Sequence, residues 1–368
     1  MIVNLIYNIK IFLSNLLSFL IIPFFRRKHS TFNDKILIIN TEKLGDLIIS
    51  SDFLYSLSLK NKATHFHILL NEYYQDLFNW SVLGFSPLSI NKNKYRYNLI
   101  YRFRIILAVR RNKYKAVINI TQERGMINDE LSLVSGAKKI TAMKKDTLYI
   151  PSLFLKKNNA LFDEVFGSDT SNEYLRLKEY LVKGNIELVS GGKTLFRPAV
   201  FQDLNIDPGY IVIAPMTSEM HRSWGLNNYR NLCGNIGGNI ILVGAKDELS
   251  SLEFIKAGRD NIKILTGMNL SQISAVINKC RIFVGNDSGL THMAHQIGKP
   301  LIAIIGGGKF GKFFPYKERK ESLFLYNKLE CFGCDWKCIY DKKYCLTEIN
   351  VDQVLNSIDF LLNISAHK

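Results

Sequence analysis

The stretch Arg281–Ile305 constrains this chain more than any other. It reads RIFVGNDSGLTHMAHQIGKPLIAII. Ile282–Val284 and Leu301–Ile305 are short apolar runs suited to buried parallel strands. Between them Leu290, Met293, Ala294 and Ile297 recur at helical spacing, and Gly298 and Pro300 stop that helix. Asn286, Asp287 and Ser288 therefore fall at a strand's carboxyl end and a helix's amino end. Backbone N–H groups and the positive end of the helix dipole collect there, which suits an anion such as a phosphate. A plain N-cap would account for Asp287 or Ser288. It would not account for Gly289, which permits close backbone approach, or for Thr291 and His292, which reach toward the same pocket.

The rest of the chain repeats this alternation. Strands are expected at Lys35–Asn40, His65–Leu70 and Ala116–Ile120, with helices over Leu47–Leu59, Leu99–Arg111 and Met126–Val134. A second series follows: strands at Tyr210–Ala214, Ile240–Gly244, Ile262–Leu265 and Leu323–Tyr326, and helices at Asn227–Cys233, Glu248–Ala257, Ser271–Asn278 and Val351–Leu362. Strands alternating with helices imply parallel sheets covered on both faces. The 368 residues suffice for two domains. The expected division is an N-terminal helix and basic linker over 1–30, one Rossmann-like domain over 31–205, a second over 206–350, and a closing helix over 351–368. At 47% hydrophobic residues the chain can fill real cores and is not disordered.

Charge is lopsided. The net charge is +16, and residues 1–150 carry 22 basic against 10 acidic side chains, or +12 of it. A basic half points to an anionic partner: a membrane surface, nucleic acid or a phosphorylated glycan. Residues 1–25 are strongly apolar and are followed by Arg26, Arg27 and Lys28. The uncharged run Ile11–Phe25 is about 22 Å long as a helix, against a hydrocarbon core of about 30 Å. A helix lying in the membrane interface, held by the basic cluster, fits better than a span or a core helix. No small-residue cleavage site follows the apolar segment, so no cleavable signal peptide is expected. Lys92–Lys115 carries nine basic residues and no acid, interleaved with tyrosines. It reads either as a nucleic-acid surface or as a membrane- or phosphate-facing helix, and the N-terminal segment favours the latter.

Three further constellations stand out. Lys43-Leu44-Gly45-Asp46 follows the first strand, the usual ligand position of a doubly wound sheet. No Gly-x-Gly-x-x-Gly stands at this turn, so the ordinary dinucleotide fingerprint is absent there. Asp46 is either an N-cap or a carboxylate able to take a proton from a hydroxyl nucleophile. Pro215-Met216-Thr217-Ser218 with His221-Arg222-Ser223-Trp224 follows the first strand of the second half. Its hydroxyls and guanidinium suit a diphosphate. Cys331, Cys334, Cys338 and Cys345 crowd together. In a reducing compartment they read as a structural metal or iron–sulfur site, with free thiols in a surface loop as the alternative.

Taken in order, these motifs resemble the heptosyltransferase family, glycosyltransferase family nine. The marks are Ile39–Asp46 early, Ala214-Pro215 with Arg222-x-Trp224 in the middle, and Val284–His292 late. The resemblance covers about residues 35–362. It implies a GT-B fold, two Rossmann-like domains facing across a cleft, with the acceptor on the N-terminal domain and a nucleotide-sugar on the other. It also implies inverting, metal-independent sugar transfer with no required cofactor; no Asp-x-Asp occurs in the chain. Asp46 matches the family's general base. Thr217, Ser218 and Arg222 fall on phosphate-binding positions, and Asp287, Ser288, Gly289 and His292 on the donor loop. Lys43, Gln122 and Arg124 are assigned to the acceptor side. Arg222 stands where a Lys is usual and Asn40 where many members have Arg. The expected activity is transfer of a sugar, heptose from ADP-heptose leading, onto a lipopolysaccharide core or related glycan. It is placed peripherally on the inner face of the cytoplasmic membrane, with no nucleic-acid partner. The rivals are a catalytically degenerate glycan-assembly protein and a nucleic-acid binder using residues 92–115.

Overall fold

The computed structural model describes residues 2–121, 124–144, 152–198 and 209–366. It divides into two compact units. One comprises Met1–Gln75, Trp80–Asp169 and Arg176–Ser190, the other Asp76–Asn79, Thr170–Leu175 and Gly191–Lys368. The expected boundary at 205/206 lies outside the described residues.

The first unit is built on β1 (Asn33–Ile39), β2 (His65–Asn71), β3 (Phe85–Ile90), β4 (Tyr114–Asn119), β5 (Lys139–Met143) and β6 (Glu164–Phe166). They form one six-stranded sheet in the order β3-β2-β1-β4-β5-β6, parallel throughout. The central strands lie under helices on both faces, which is why Leu37, Ile38 and Ile39 are all fully buried instead of alternating in and out. β3, β5 and β6 escaped the sequence reading. β3 carries Pro87, which a sheet tolerates because this strand lies at the edge. The single helix expected over Leu47–Leu59 is two, Leu44–Ile49 and Ser51–Lys60, joined at Ser50.

The N-terminal helix Ile2–Phe25 is not separate from this unit. It packs on the Met126–Leu133 helix, and Ile21 and Ile22 belong to the unit's core. A buried ion pair ties it down: Arg102 Nε donates to Glu130 Oε1 (3.0 Å), Arg102 Nη2 to Ser18 Oγ (2.6 Å), and Ser18 Oγ to Glu130 Oε2 (2.9 Å). The apolar sequence of the segment hid these few polar partners. Among the described residues no helix is long and apolar enough to cross a membrane.

The second unit repeats the plan with β7 (Ile211–Ala214), β8 (Ile240–Gly244), β9 (Ile262–Thr266), β10 (Ile282–Asn286), β11 (Leu301–Ile304) and β12 (Ser322–Leu325). Its sheet runs β12-β11-β10-β7-β8-β9, again all parallel. Counted from each unit's own first strand, both sheets have the order 3-2-1-4-5-6 of Rossmann-like folds, so the architecture is that of the GT-B class. The chain reverses direction across the sheet between β1 and β4 in one unit and between β7 and β10 in the other. Loops diverge at these switch points and leave a crevice at the carboxyl ends of the strands. The closing helix Val351–Ala366 supplies Val354, Ile358 and Leu361 to the second core.

Candidate active site

Every motif singled out in the sequence, the cysteines apart, meets one of the two switch points. In the second unit, β7 leads into Pro215–Trp224 and β10 into Asn286–Gly289. Asn286 joins the two loops. It is fully buried, its Nδ2 donates to Pro215 O (2.6 Å), and its Oδ1 accepts from Trp224 N (3.0 Å). Trp224 is in turn fixed by its indole N–H on Ile349 O (2.7 Å). Both residues therefore build the site's frame.

Within that frame the Arg222 guanidinium bridges the loops. Nη2 donates to Ser218 Oγ (2.9 Å), Nη1 to Asp287 O (3.3 Å), and Nε lies 3.3 Å from a Glu219 carboxylate oxygen. Thr217 donates its hydroxyl to Glu219 O (2.6 Å), which shapes the turn carrying Ser218 and Arg222. Beside the guanidinium starts the Gly289–Ile297 helix. Ser288 sits at its N-cap in an extended conformation without a side-chain cap bond. The N–H groups of the first turn have no partner within the helix and carry the positive end of its dipole. Gly285 is required just behind it. A Cβ there would lie 2.8 Å from Thr291 Oγ1 and 3.2 Å from Ala214 O, so any side chain would push the helix start away from the sheet.

Asp287 and His292 are buried beneath this surface. His292 Nε2 lies 3.5 Å from Asp287 Oδ1, and Nδ1 lies 3.2 Å from the Tyr316 hydroxyl. Its ring stacks on Phe314 with centroids 4.0 Å apart. Burial pushes the His292 pKa below the ordinary histidine value, with Asp287 opposing. The neutral ring thus fits as an Nε2–H donor to Asp287 and an Nδ1 acceptor from Tyr316. Phe314 and Tyr316 were not legible as site residues, because their contact with His292 depends on where the chain after β11 returns.

The first unit's switch point is more open. Lys43 occupies the N-cap of the Leu44–Ile49 helix, and Asp46 stands half-buried in its first turn. Tyr74 closes on the same turn. Burial raises its pKa, a backbone bond to Leu44 opposes this, and the Asp46 and Glu42 carboxylates add to the rise. Tyr74 carried no sequence signal, since it lies in a short turn after β2. Glu42 accepts from Asn128 Nδ2 (2.9 Å) and pairs with Lys92 (3.4 Å). Asn40 is buried and donates to Ser50 Oγ (3.1 Å), a framing role like that of Asn286.

Arg124, expected on the acceptor side, is fully buried, and its guanidinium meets Asp129 (2.8 and 2.9 Å), Met143 O (3.1 Å) and Asn159 (2.8 Å). That burial was not legible in the sequence. Gln122 lies outside the described residues. The four cysteines gather in one loop region, with Cys331 in hydrogen-bonding reach of Cys334 and Cys345 near Cys334 and Cys338, although Cys345 belongs to the second core while Cys338 is exposed. Among the described residues no group of three or more His, Cys, Asp or Glu side chains is arranged to hold a metal ion. The loop instead lays aromatic rings on the glycine run after β11. A Cβ on Gly306 would lie 2.5 Å from Trp336, and one on Gly307 2.6 Å from Phe332. Trp336 also contacts His221 with ring centroids 4.8 Å apart, so this loop buttresses the Arg222 turn.

Residues 102–339 match the family described as Glycosyltransferase family 9 (heptosyltransferase). The chain is 22% identical over 282 residues to lipopolysaccharide heptosyltransferase 3 of Escherichia coli, covering 71% of this chain and 80% of that protein. In three dimensions it is similar to a family 9 glycosyl transferase from Veillonella parvula, with TM-score 0.74 and 15% identity, covering 91% of this chain and 99% of the other. It is also similar to the E. coli heptosyltransferase WaaC solved with ADP, with TM-score 0.68 and 17% identity over 89% of this chain and 99% of that one.

Proposed function

The chain belongs to glycosyltransferase family 9, the heptosyltransferases, and on that premise we propose an inverting transfer that needs no metal, with a nucleoside-diphosphate sugar on the second unit and a glycan acceptor on the first. The observation that carries this is the meeting of the Arg222 guanidinium with the start of the Gly289–Ile297 helix at Asp287, on a strand switch point. A diphosphate there takes charge-assisted bonds from Arg222, a hydroxyl bond from Ser218, and backbone N–H groups at Ser288-Gly289. The Asp287–His292 pair beneath holds that loop to the helix.

Asp46 takes the proton of an acceptor hydroxyl as its oxygen attacks the anomeric carbon. The new C–O bond forms on the face opposite the leaving group. The old bond's electron pair departs with the diphosphate, and the positive end of the helix and Arg222 meet the growing charge. Lys43 belongs to the acceptor side of this reading, and Tyr74 adds a hydroxyl to the same turn. Heptose from ADP-heptose is the leading donor, supported by the ADP complex of the E. coli relative. A lipopolysaccharide-type acceptor is supported by the named activity of the relative in the same organism. Such an acceptor places the enzyme peripherally on the inner face of the cytoplasmic membrane.

The test is an assay of purified protein with ADP-heptose and a deacylated core acceptor, scoring ADP release and the anomeric configuration of the product. A thermal-shift screen across nucleotide-sugars ranks the donors. Binding of every donor without transfer would leave a binding protein, and a retained anomeric configuration would reject the inverting mechanism.

A further inference from the structure

The N-terminal helix buries one face and leaves the other apolar and exposed. Leu16, Leu20 and Phe24 follow at intervals of four along the outer face, and Phe24 is 83% exposed. The same occurs on the Leu99–Arg111 helix, where Ile100, Phe103 and Leu107 face outward, Ile100 at 76% exposure. These stripes are neighbours. Phe25 and Phe103 have ring centroids 6.1 Å apart, and Arg110 donates to the carbonyls of Phe25 and, at 3.1 Å, of Arg27. The Arg102–Glu130–Ser18 cluster lies behind them and fixes the first helix against rotation.

Charge around the two stripes has one sign. Arg104 and Arg111 lie along the outer stripe of the second helix, and Arg26 and Arg27 follow the first, all four exposed. No acidic residue occurs in 1–33 or in 91–115. Lys28 and Lys115 already pair with Asp163 and Asp34, so the exposed arginines dominate the rim. Exposed aliphatic and aromatic side chains interleaved with arginine, on helices too short or too polar to span, match an interface that is apolar within and anionic at its surface.

We propose that these two helices form one composite docking face for an anionic lipid bilayer. Leu16, Leu20, Phe24, Ile100, Phe103 and Leu107 enter the acyl boundary, and the arginines meet lipid phosphates. The anchor is thus part of the acceptor unit's tertiary structure and not a detachable leader. This deepens the membrane element of the function proposed above and rests on it.

The experiment is flotation of the full chain with phosphatidylglycerol-containing vesicles and with phosphatidylcholine vesicles. The protein should float with the anionic set and much less with the neutral set. Ile100→Glu with Leu107→Glu, both exposed and far from the N-terminus in sequence, should lower partitioning by about ten- to a hundredfold. Arg104→Gln with Arg111→Gln should lower it about tenfold or more and weaken its salt dependence. Ile100→Trp gives a gain of signal: its emission should shift to the blue on adding anionic vesicles. A wild-type chain that stays unbound overturns the docking face, while the transfer assay on a soluble acceptor separately judges the enzyme. Unchanged flotation of Ile100→Glu/Leu107→Glu, or a lipid-independent dimer that this variant dissociates, also overturns it.

Discussion

The two switch points share a plan and differ in how they hold their aspartate. Each follows a central strand, carries a buried asparagine and opens into a helix. Asp46 stands half-buried in a first helical turn, beside Tyr74. Asp287 is 5% exposed, faces His292, and has its backbone carbonyl engaged by Arg222. A carboxylate that must accept and release a proton needs access to the reacting hydroxyl. One that fixes a loop needs buried partners instead. This difference is consistent with the proposed division, in which Asp46 handles the proton and the second unit binds the anion.

Four measurements break or sharpen this contrast. The largest effect is expected for Asp46→Asn, which keeps the shape and any capping role but removes the basicity. It should lower kcat by about two to four orders of magnitude with donor affinity nearly unchanged, checked by steady-state kinetics and donor titration. Transfer at the wild-type rate would leave Asp46 as a helix residue only. Arg222→Ala should act on both parameters, because the diphosphate is charged before and during the reaction. A loss of about 10²–10³ in kcat/KM with weaker ADP binding is expected, and unchanged ADP affinity would remove Arg222 from the donor site.

The third compares the framing asparagines. Asn286→Ala leaves Pro215 O and Trp224 N without their buried partner and should cost about 2–3 kcal/mol in chemical denaturation. Asn40→Ala, whose main bond is to Ser50, should cost about 1 kcal/mol. Equal costs would mean that the two loops are held alike.

The fourth measurement is acid sensitivity in the second unit, where burial lowers the pKa of both His292 and His295. Burial and Arg319 lower the His295 pKa to about 3, and its Nε2 donates to Tyr316 O (2.8 Å) while Nδ1 accepts from Ser322 Oγ (3.2 Å). An unfolded histidine has a pKa near 6.5, so the stabilisation is complete above that pH. It falls as pH drops toward 3, because the unfolded chain binds a proton that the folded one refuses. The expected slope is about 1.4 kcal/mol per pH unit below about 6. His295→Gln should flatten it, and an unchanged slope would place the acid sensitivity elsewhere.

Sequence by itself determined the alternation of strands and helices, the two parallel sheets and the family. Continuous apolar runs such as Ile211–Ala214 can only be strands buried on both faces, and the residues at strand ends are local to those runs. The Asp46 turn, the Arg222 turn and the Asn286–His292 stretch were legible for that reason. Tertiary structure decided what depends on distant chain segments. It buried Arg124 against Asp129, drew Cys345 into the core, and brought Phe314 and Tyr316 to His292 and Tyr74 to Asp46. It also split the N-terminal helix into a core face and an exposed face through Ser18, Arg102 and Glu130. A polar side chain's role follows from its partner and its dielectric surroundings, and both are set only when remote segments pack together.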